Sequence, residues 1–236
     1  MSFSVIIPSK NADNLEPCVT AIRQRETDAR IIVVDDGVEF TEDRDMYDFG
    51  DVCWVPGIKP FIFSRNVNIG IRAAGSDDVV ILGDDGLLQT PGGFSLLARE
   101  AEAHPEFGII SATCNNTGNP NQHPKGIGLR EDPRQVCFIA VYIPRRTIET
   151  VGLLDEEFIH YGLDDDSYCL RIRRAGLKIG IHDGAYVDHG SLTSTFRGAA
   201  GAGGNFRPNL KIFIQKYGVD NWGQPKETSQ FPELFS

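Results

Sequence analysis

Three aspartate clusters and one histidine are the residues whose types and spacing could do chemistry in this sequence. They are Asp35-Asp36, Asp84-Asp85, Asp164-Asp165-Asp166 and His189. Adjacent carboxylates repel by roughly 1 kcal/mol even in water at 4 Å, so such clusters indicate a compensating cation or a catalytic role. An oxygen-rich set with one imidazole suits Mn²⁺, or Mg²⁺ less ideally, rather than structural zinc.

Each cluster also has a purely structural interpretation. Asp-Asp-Gly after a strand is ordinary turn chemistry, and Asp at a helix start is more often a cap than a catalyst. A single histidine is usually structural. A cap needs only one carboxylate, however, whereas residues 164–166 supply three. The coincidence of all the clusters favours a functional site.

The first half of the chain alternates short apolar runs with amphipathic stretches of helix length. The runs predict strands at Phe3–Pro8, Arg30–Asp35, Val52–Pro56 and Asp78–Gly83, and the stretches predict helices at Leu15–Gln24, Phe63–Ala74 and Gly93–His104. Continuous apolar runs are typical of strands covered on both faces, and strand–helix–strand repetition predicts a mainly parallel sheet. Ligands of such sheets bind beyond the carboxyl ends of the strands, where the first two aspartate clusters fall.

The second half is less regular. It predicts strands at Gly108–Thr113, Gln135–Pro144, Leu177–His182 and Tyr186–His189, and helices at Leu163–Ala175 and Asn209–Tyr217. The polar stretch Cys114–Asp132 is expected to shape a ligand pocket. The glycine-rich segment Gly190–Asn205 is either a lid over a bound ligand or a surface loop.

We expect one α/β domain over residues 1–236. Within it, we distinguish two halves, residues 1–113 and residues 114–206, followed by a C-terminal helix and tail over residues 207–236. The sequence contains no internal repeat and no obvious domain linker.

Composition excludes several functional classes. The net charge of −10 and pI near 4.9 disfavour a nucleic-acid binder, which needs a clustered basic surface. No apolar stretch approaches the roughly 20 residues of a transmembrane helix, and no basic leader precedes the first strand. The five scattered cysteines form no CxxC pair. We therefore expect a soluble, cytoplasmic protein with reduced thiols.

The order and spacing of several motifs resemble those of the family-2 glycosyltransferases, which have the GT-A (Rossmann-like) fold. The motifs are Ser4–Pro8 with Asn11, Val33–Gly37, Ser64–Asn66 with Gly70 and Ala74, Ile81–Asp85, Gly152–Phe158 with Asp164-Asp165 and Arg171, Val187–His189 and Asn209–Gly218. The sequence departs from the family pattern twice. Gly83 stands where the first Asp of the DxD motif usually lies, and Asp164 replaces the usual Glu.

The resemblance implies an inverting transfer of a sugar from a nucleotide-diphosphate donor, preferably a UDP-sugar, to an acceptor hydroxyl. The implied roles are a divalent ion (Mn²⁺, or Mg²⁺) on Asp85 and His189 with help from Asp84, a phosphate contact by Arg65, a nucleotide site formed by Pro8, Ser9, Asn11, Asp35 and Asp36, and a general base at Asp165 beside Asp164. The resemblance also implies a nucleotide-binding half over residues 1–113 and a sugar and acceptor half, with the Gly-rich lid, over residues 114–206. Carbohydrate, lipid-linked and protein-linked acceptors all remain open.

Other functions compete with this interpretation. A sugar nucleotidyltransferase is disfavoured because Ser9–Glu16 has one Lys and no Gly to hold a triphosphate. A dehydrogenase is disfavoured because no G-x-G-x-x-G follows the first strand. A retaining transferase stays open, as does a degenerate nucleotide-sugar binding module, which the substitution at Gly83 suggests.

Overall fold

A computed structural model describes residues 2–26, 28–41, 43, 46–194 and 205–226. Within these residues the strands are β1 (Phe3–Asn11), β2 (Arg30–Glu39), β3 (Cys53–Pro56), β4 (Asp78–Leu82), β5 (Leu87–Leu88), β6 (Phe107–Cys114), β7 (Leu129–Asp132), β8 (Ala140–Ile143) and β9 (Lys178–Asp188). The α-helices are α1 (Ala12–Arg25), α2 (Phe63–Ala73), α3 (Gly93–Ala103), α4 (Arg145–Val151), α5 (Asp164–Arg174) and α6 (Phe206–Tyr217).

The strands form one mixed sheet in the order β3-β2-β1-β4-β8-β6-β9-β5, with β7 also paired to β9. Strands β3, β2, β1 and β4 are mutually parallel, and β9 is parallel to β6. Strand β8 is antiparallel to both β4 and β6 and joins the two parallel groups. The α/β architecture predicted from the sequence is confirmed.

Helices cover both faces of the sheet, which explains the continuous apolar runs. Val5 and Ile7 pack with α1 and α3 on one face, whereas Ile6 packs with α2 and α5 on the other. Helix α2 lies very close to β1 because Gly70 has no side chain. A Cβ at Gly70 would come within 2.3 Å of Ile6 Cγ2.

Five features differ from the sequence expectations. Strand β9 is continuous instead of two strands, because the Asp183-Gly184 turn signal forms a bulge. The register against β6 shifts there, between the pairs Ala112–His182 and Thr113–Tyr186. Strand β8 is shorter than predicted. Strands β5 and β7 and helix α4 were not predicted, because the first is only two residues long and the others lie in polar sequence.

The C-terminal helix α6 packs against α5 through a separate apolar cluster of Phe158, Leu163, Leu170 and Phe213. Most of the predicted lid, Gly190–Asn205, lies outside the described residues, at 195–204. Among the described helices, none has the length and apolar character needed to cross a bilayer.

Candidate functional site

A pocket of about 380 Å³ lies at the edge of the sheet where β4 and β9 end. Asp84 and Asp85 follow β4, His189 follows β9, and the first turn of α5 faces them across the pocket. The predicted site residues that line it are Pro8, Asp84, Asp85, Asp164, Asp165 and His189. The structure thus brings two of the three aspartate clusters together with the histidine.

Asp85 and His189 form the closest pair in the pocket. The Nε2 atom of His189 lies 3.3 Å from Oδ1 of Asp85, and both residues are buried. The Nδ1 atom lies 2.5 Å from the carbonyl oxygen of Asn116, which can only accept, so Nδ1 carries a proton. In a neutral imidazole, Nε2 therefore directs a lone pair at the Asp85 carboxylate. Such an arrangement requires a proton or a cation between the two atoms.

This pair fits a divalent cation held jointly with a bound ligand. Within the described part of the chain, no group of three or more His, Cys, Asp or Glu side chains could hold a metal ion. Asp85 and His189 supply two ligand atoms, so any further oxygens would come from a ligand or from water. Donation of Nδ1–H to a backbone carbonyl is the usual outer contact of a metal-binding histidine.

The Asp85 carboxyl is suited to ligation by its charge. Burial acts to raise its pKa, but hydrogen bonds to the carboxylate, that of His189 first among them, and the charge of a protonated His189 outweigh burial and leave the pKa below its usual value. A divalent cation in place of the His189 proton would favour the ionised carboxyl in the same way. A carboxyl must be ionised to bind a metal. Asp85 therefore meets this requirement at neutral pH.

Gly83 determines where the Asp85 side chain can lie. A Cβ at residue 83 would stand 2.7 Å from Oδ1 of Asp85, the atom that faces His189. A side chain at this position would require the Asp85 carboxylate to shift. The glycine that stands in place of the expected aspartate therefore leaves room for the observed contact between Asp85 and His189.

The first turn of α5 buries Asp164 at its N-terminal end. The backbone N–H of Gly162 donates to Oδ2 of Asp164 at 2.7 Å, and Ser64 Oγ donates to Oδ1 at 3.3 Å. Burial, followed by the negative charge of Asp165, raises the pKa of Asp164 to about 7. This carboxyl is poised to hold or release a proton near neutral pH.

The other two carboxyls of this turn differ in their partners. Asp166 lies 3.4 Å from Arg134, yet burial and the charge of Asp165 raise its pKa to about 8. Burial also raises the pKa of Asp165, opposed by the backbone N–H of Asp166, which donates at 2.9 Å. A raised pKa makes Asp165 a stronger base than a free aspartate, whose pKa is near 3.9.

The family model for glycosyl transferase family 2 matches residues 4–151, which is more than half of the chain. The chain belongs to this family. The motif order predicted this membership. No curated protein matches the sequence.

Solved structures support the fold of this glycosyltransferase. The crystal structure of GalNAc-T7 with UDP, GalNAc and Mn²⁺ superimposes with a TM-score of 0.67 at 14% sequence identity. The match covers 80% of this chain and 44% of that one, so the glycosyltransferase spans less than half the length of its structural neighbour. At this identity the likeness shows the GT-A fold.

The third aspartate cluster of the glycosyltransferase lies outside the pocket lining. Strand β2 continues past the predicted end at Asp35 to Glu39, so Asp35 and Asp36 lie within the strand. Oδ1 of Asp35 accepts the backbone N–H groups of Gly37 and Val38 at 2.8 and 2.7 Å. Asp36 is buried and pairs with Lys59 at 2.9 Å and with Asn66 at 3.0 Å. Asp36 thus ties β2 to the loop before α2 and to α2 itself.

Two predicted nucleotide contacts have structural partners. Ser9 Oγ donates to Oδ2 of Asp84 at 2.7 Å, which joins the ends of β1 and β4 and turns that carboxylate oxygen towards β1. Asn11 caps α1, since its side chain accepts the N–H of Asp13 at 2.9 Å. Neither Ser9 nor Asn11 belongs to the pocket lining.

Arg65 also lies outside the pocket lining. Its guanidinium donates to the carbonyl oxygens of Ile58, at 2.7 Å, and of Pro60. The side chain therefore holds the loop before α2 in the described conformation. Its role with a donor phosphate stays a prediction.

Sequence reasoning assigned no individual roles to the residues that position the site. Asn115 accepts the backbone N–H of His189 at 2.8 Å, and the carbonyl of Asn116 holds its ring. Ser64 contacts Asp164, and Tyr161 lines the pocket. The Asn115-Asn116 pair directly after β6 was a detectable signal, because it follows a strand at the binding edge of the sheet.

Proposed function

We propose that this glycosyltransferase moves a sugar from UDP to an acceptor hydroxyl, with inversion, using a divalent cation on Asp85 and His189 and Asp165 as the general base. One observation carries the proposal. A single pocket is lined both by the Asp85–His189 pair and by the carboxyls of the first turn of α5. The reaction needs a site for a cation at the leaving group and a base at the attacking hydroxyl, and this pocket has residues suited to each.

The donor nucleotide would lie over the ends of β1 and β2. Two backbone N–H groups hold Oδ1 of Asp35, which leaves the carboxylate oriented to accept an imide N–H through Oδ2. Uracil offers one such N–H between two carbonyls. The structural neighbour was crystallised with UDP, which supports UDP as the nucleotide.

The diphosphate would face Asp85 and His189. A divalent ion such as Mn²⁺ supplies Lewis-acid stabilisation of the charge that develops on a departing diphosphate. The neighbour's Mn²⁺ supports this choice of ion. Asp85 and His189 orient the donor, with Asp84 held beside them by Ser9.

The acceptor would approach from the α5 side. Asp165 takes the hydroxyl proton as the oxygen forms its bond to the anomeric carbon, and the bond between that carbon and the diphosphate oxygen breaks on the opposite face. The configuration inverts. The raised pKa of Asp165 favours this proton transfer.

Replacing Asp165 by Asn tests the assignment of the base. In a screen of UDP-, GDP- and dTDP-sugars with mixed acceptors, Asp165→Asn should consume UDP-sugar at least about a hundredfold more slowly, while UDP affinity by calorimetry stays within about twofold. Asp166→Asn is the matched control and should keep more than a tenth of the activity, because Asp166 is paired with Arg134.

Retention of more than a tenth of the activity by Asp165→Asn would contradict the base assignment. A wild-type protein that binds UDP-sugars but consumes none would instead support the degenerate binding module. Formation of a sugar nucleotide from a nucleoside triphosphate and a sugar phosphate would support the nucleotidyltransferase. Anomeric analysis of the product separates inversion from retention.

A further inference from the structure

Aromatic side chains form the wall of the pocket around the carboxyls of α5. Phe61 and Phe63 come from the segment that leads into α2, Tyr161 comes from the loop before α5, and Phe206 begins α6. Tyr161 is half-buried, and Phe206 is 45% exposed. The pocket therefore combines flat apolar surfaces with hydrogen-bonding carboxyls on the acceptor side.

The loop that carries Tyr161 has an unusual backbone. His160, Gly162 and Leu163 have positive φ angles of 54°, 107° and 68°. Two of these residues are not glycine, and such conformations cost about 1–3 kcal/mol each unless the surroundings impose them. The strain indicates that the position of this loop matters.

Buried Asn209 of α6 imposes the loop conformation. Its Oδ1 accepts the N–H of Ile159 at 2.8 Å, and its Nδ2 lies 2.9–3.2 Å from the carbonyl oxygens of Ile159, Tyr161 and Gly162. The N–H of Phe63 also donates to the carbonyl of His160 at 2.6 Å. The backbone of the loop is thus held from two elements, which fixes the point at which the Tyr161 side chain leaves the chain.

The charge of the pocket limits what can bind beside Asp165. Among the described lining residues, five are aspartates, one is His189, and none is lysine or arginine. A cation at the Asp85–His189 end would offset the donor's diphosphate, but no basic side chain lines the α5 end. An anionic acceptor would add negative charge beside three neighbouring carboxyls, whose mutual repulsion already helps to raise the pKa values of Asp164 and Asp166.

We propose that the acceptor is a neutral sugar whose ring stacks on Tyr161 and presents a hydroxyl to Asp165. This inference rests on the proposed function. The C–H face of a pyranose matches the negative face of an aromatic ring, and its hydroxyl edge matches carboxyls. The Tyr161 loop lies beyond residue 151, where the family match ends, so it belongs to the part of the site that the match does not cover.

Binding of a defined glycoside panel tests the proposal. The protein, with UDP and Mg²⁺, is titrated by saturation-transfer NMR with neutral methyl glycosides (glucoside, galactoside, mannoside and the two N-acetylhexosaminides) and with glucuronate and glucose 6-phosphate. We expect at least one neutral glycoside to bind, with saturation strongest on the C–H face, and both anions to bind at least about tenfold more weakly.

Variants of the loop assign the contact. Tyr161→Ala should weaken binding of the best glycoside about tenfold, whereas Tyr161→Phe, which keeps the ring, should change it less than about twofold. Ile159→Ala is the matched control, because Ile159 lies on the same loop, is 42% exposed and does not line the pocket. It should leave glycoside affinity unchanged.

Three outcomes would overturn the proposal: no neutral glycoside binds, an anion binds as well as its neutral counterpart, or Tyr161→Ala and Ile159→Ala behave alike. UDP affinity is measured on the same samples. If the wild type does not bind UDP, the proposed function is contradicted. If the wild type binds UDP but one of the three outcomes above is found, only the acceptor assignment is overturned.

Discussion

At the residue scale, the site depends on which carboxylates are directed into the pocket. The aspartate clusters and the family resemblance singled out Asp85 and His189, and the structure brings them to within 3.3 Å of each other. The roles of the neighbours that orient them were not predicted. The contact to the His189 ring comes from the backbone carbonyl of Asn116, a group that every residue type has, so the residue type alone does not indicate it. Asp35 and Asp36 show the opposite case, since their local contacts are those of a turn and an ion pair.

Gly83→Ala tests whether the missing DxD aspartate leaves space for Asp85. The added Cβ would stand 2.7 Å from a flexible carboxylate end, so the melting temperature should change little, while Mn²⁺-dependent UDP affinity should fall about tenfold. Gly118→Ala is the control, because its Cβ would meet only Cys137 Sγ at 3.5 Å in the same pocket. Equal affinities of the two variants would refute the steric argument.

Asp164→Asn tests the proton held at the start of α5. The pKa of this carboxyl is about 7 in the folded protein and near 3.8 when unfolded, so the folded state binds more protons between these values. The contribution of Asp164 to the free energy of unfolding therefore falls as pH rises from about 4 to 7. Asn can keep both contacts, through Oδ1 to Gly162 N–H and through Nδ2 to Ser64.

Asp164→Asn should accordingly raise the free energy of unfolding by about 1–2 kcal/mol at pH 8, with a gain that shrinks towards pH 4, measured by urea denaturation. Asp77→Asn is a control of opposite sign. Although burial opposes it, hydrogen bonds from Ser4 and Ser2 lower the pKa of Asp77. A gain for Asp164→Asn that is independent of pH would contradict the argument.

At the element scale, the pattern of apolar residues predicted the strands that are covered on both faces and the helices that cover them. Strands β1, β2 and β4 and helices α2 and α3 were predicted to within a few residues. Strand β7 and helix α4 were missed because polar and charged residues dominate them. The loop before α5 could not be predicted either, since its conformation depends on Asn209, about fifty residues further along the chain.

Asn209→Asp tests that long-range support. A second carboxylate oxygen would replace the Nδ2 donor and face the carbonyls of Ile159, Tyr161 and Gly162. Buried groups left unsatisfied cost about 1–3 kcal/mol, so the free energy of unfolding should fall by about 3 kcal/mol. Gln215→Glu makes the same chemical change at an exposed position of α6 and should alter stability by less than about 0.5 kcal/mol. Equal effects of the two changes would exclude a structural role for the Asn209 amide.

At the scale of the whole molecule, the site is assembled from both halves of the chain. Asp84 and Asp85 lie within the residues matched by the family model, whereas Asp165, Tyr161 and His189 lie beyond residue 151. The mixed sheet brings them together, because β9 runs parallel to β6 and ends at the same edge as β4. The motif order of the sequence predicted this convergence, but only the sheet topology explains it.

Calorimetry of UDP binding with and without Mn²⁺ tests the central claim most directly. For the wild type, we expect Mn²⁺ to tighten UDP binding at least about tenfold, and we expect Asp85→Asn and His189→Ala to abolish that gain. His182→Ala should keep this gain, because His182 lies on β9, the strand that His189 follows, and is outside the pocket lining. The account would be contradicted if folded Asp85 and His189 variants retained the full effect of Mn²⁺. It would also be contradicted if the UDP affinity of the wild type were the same with and without Mn²⁺.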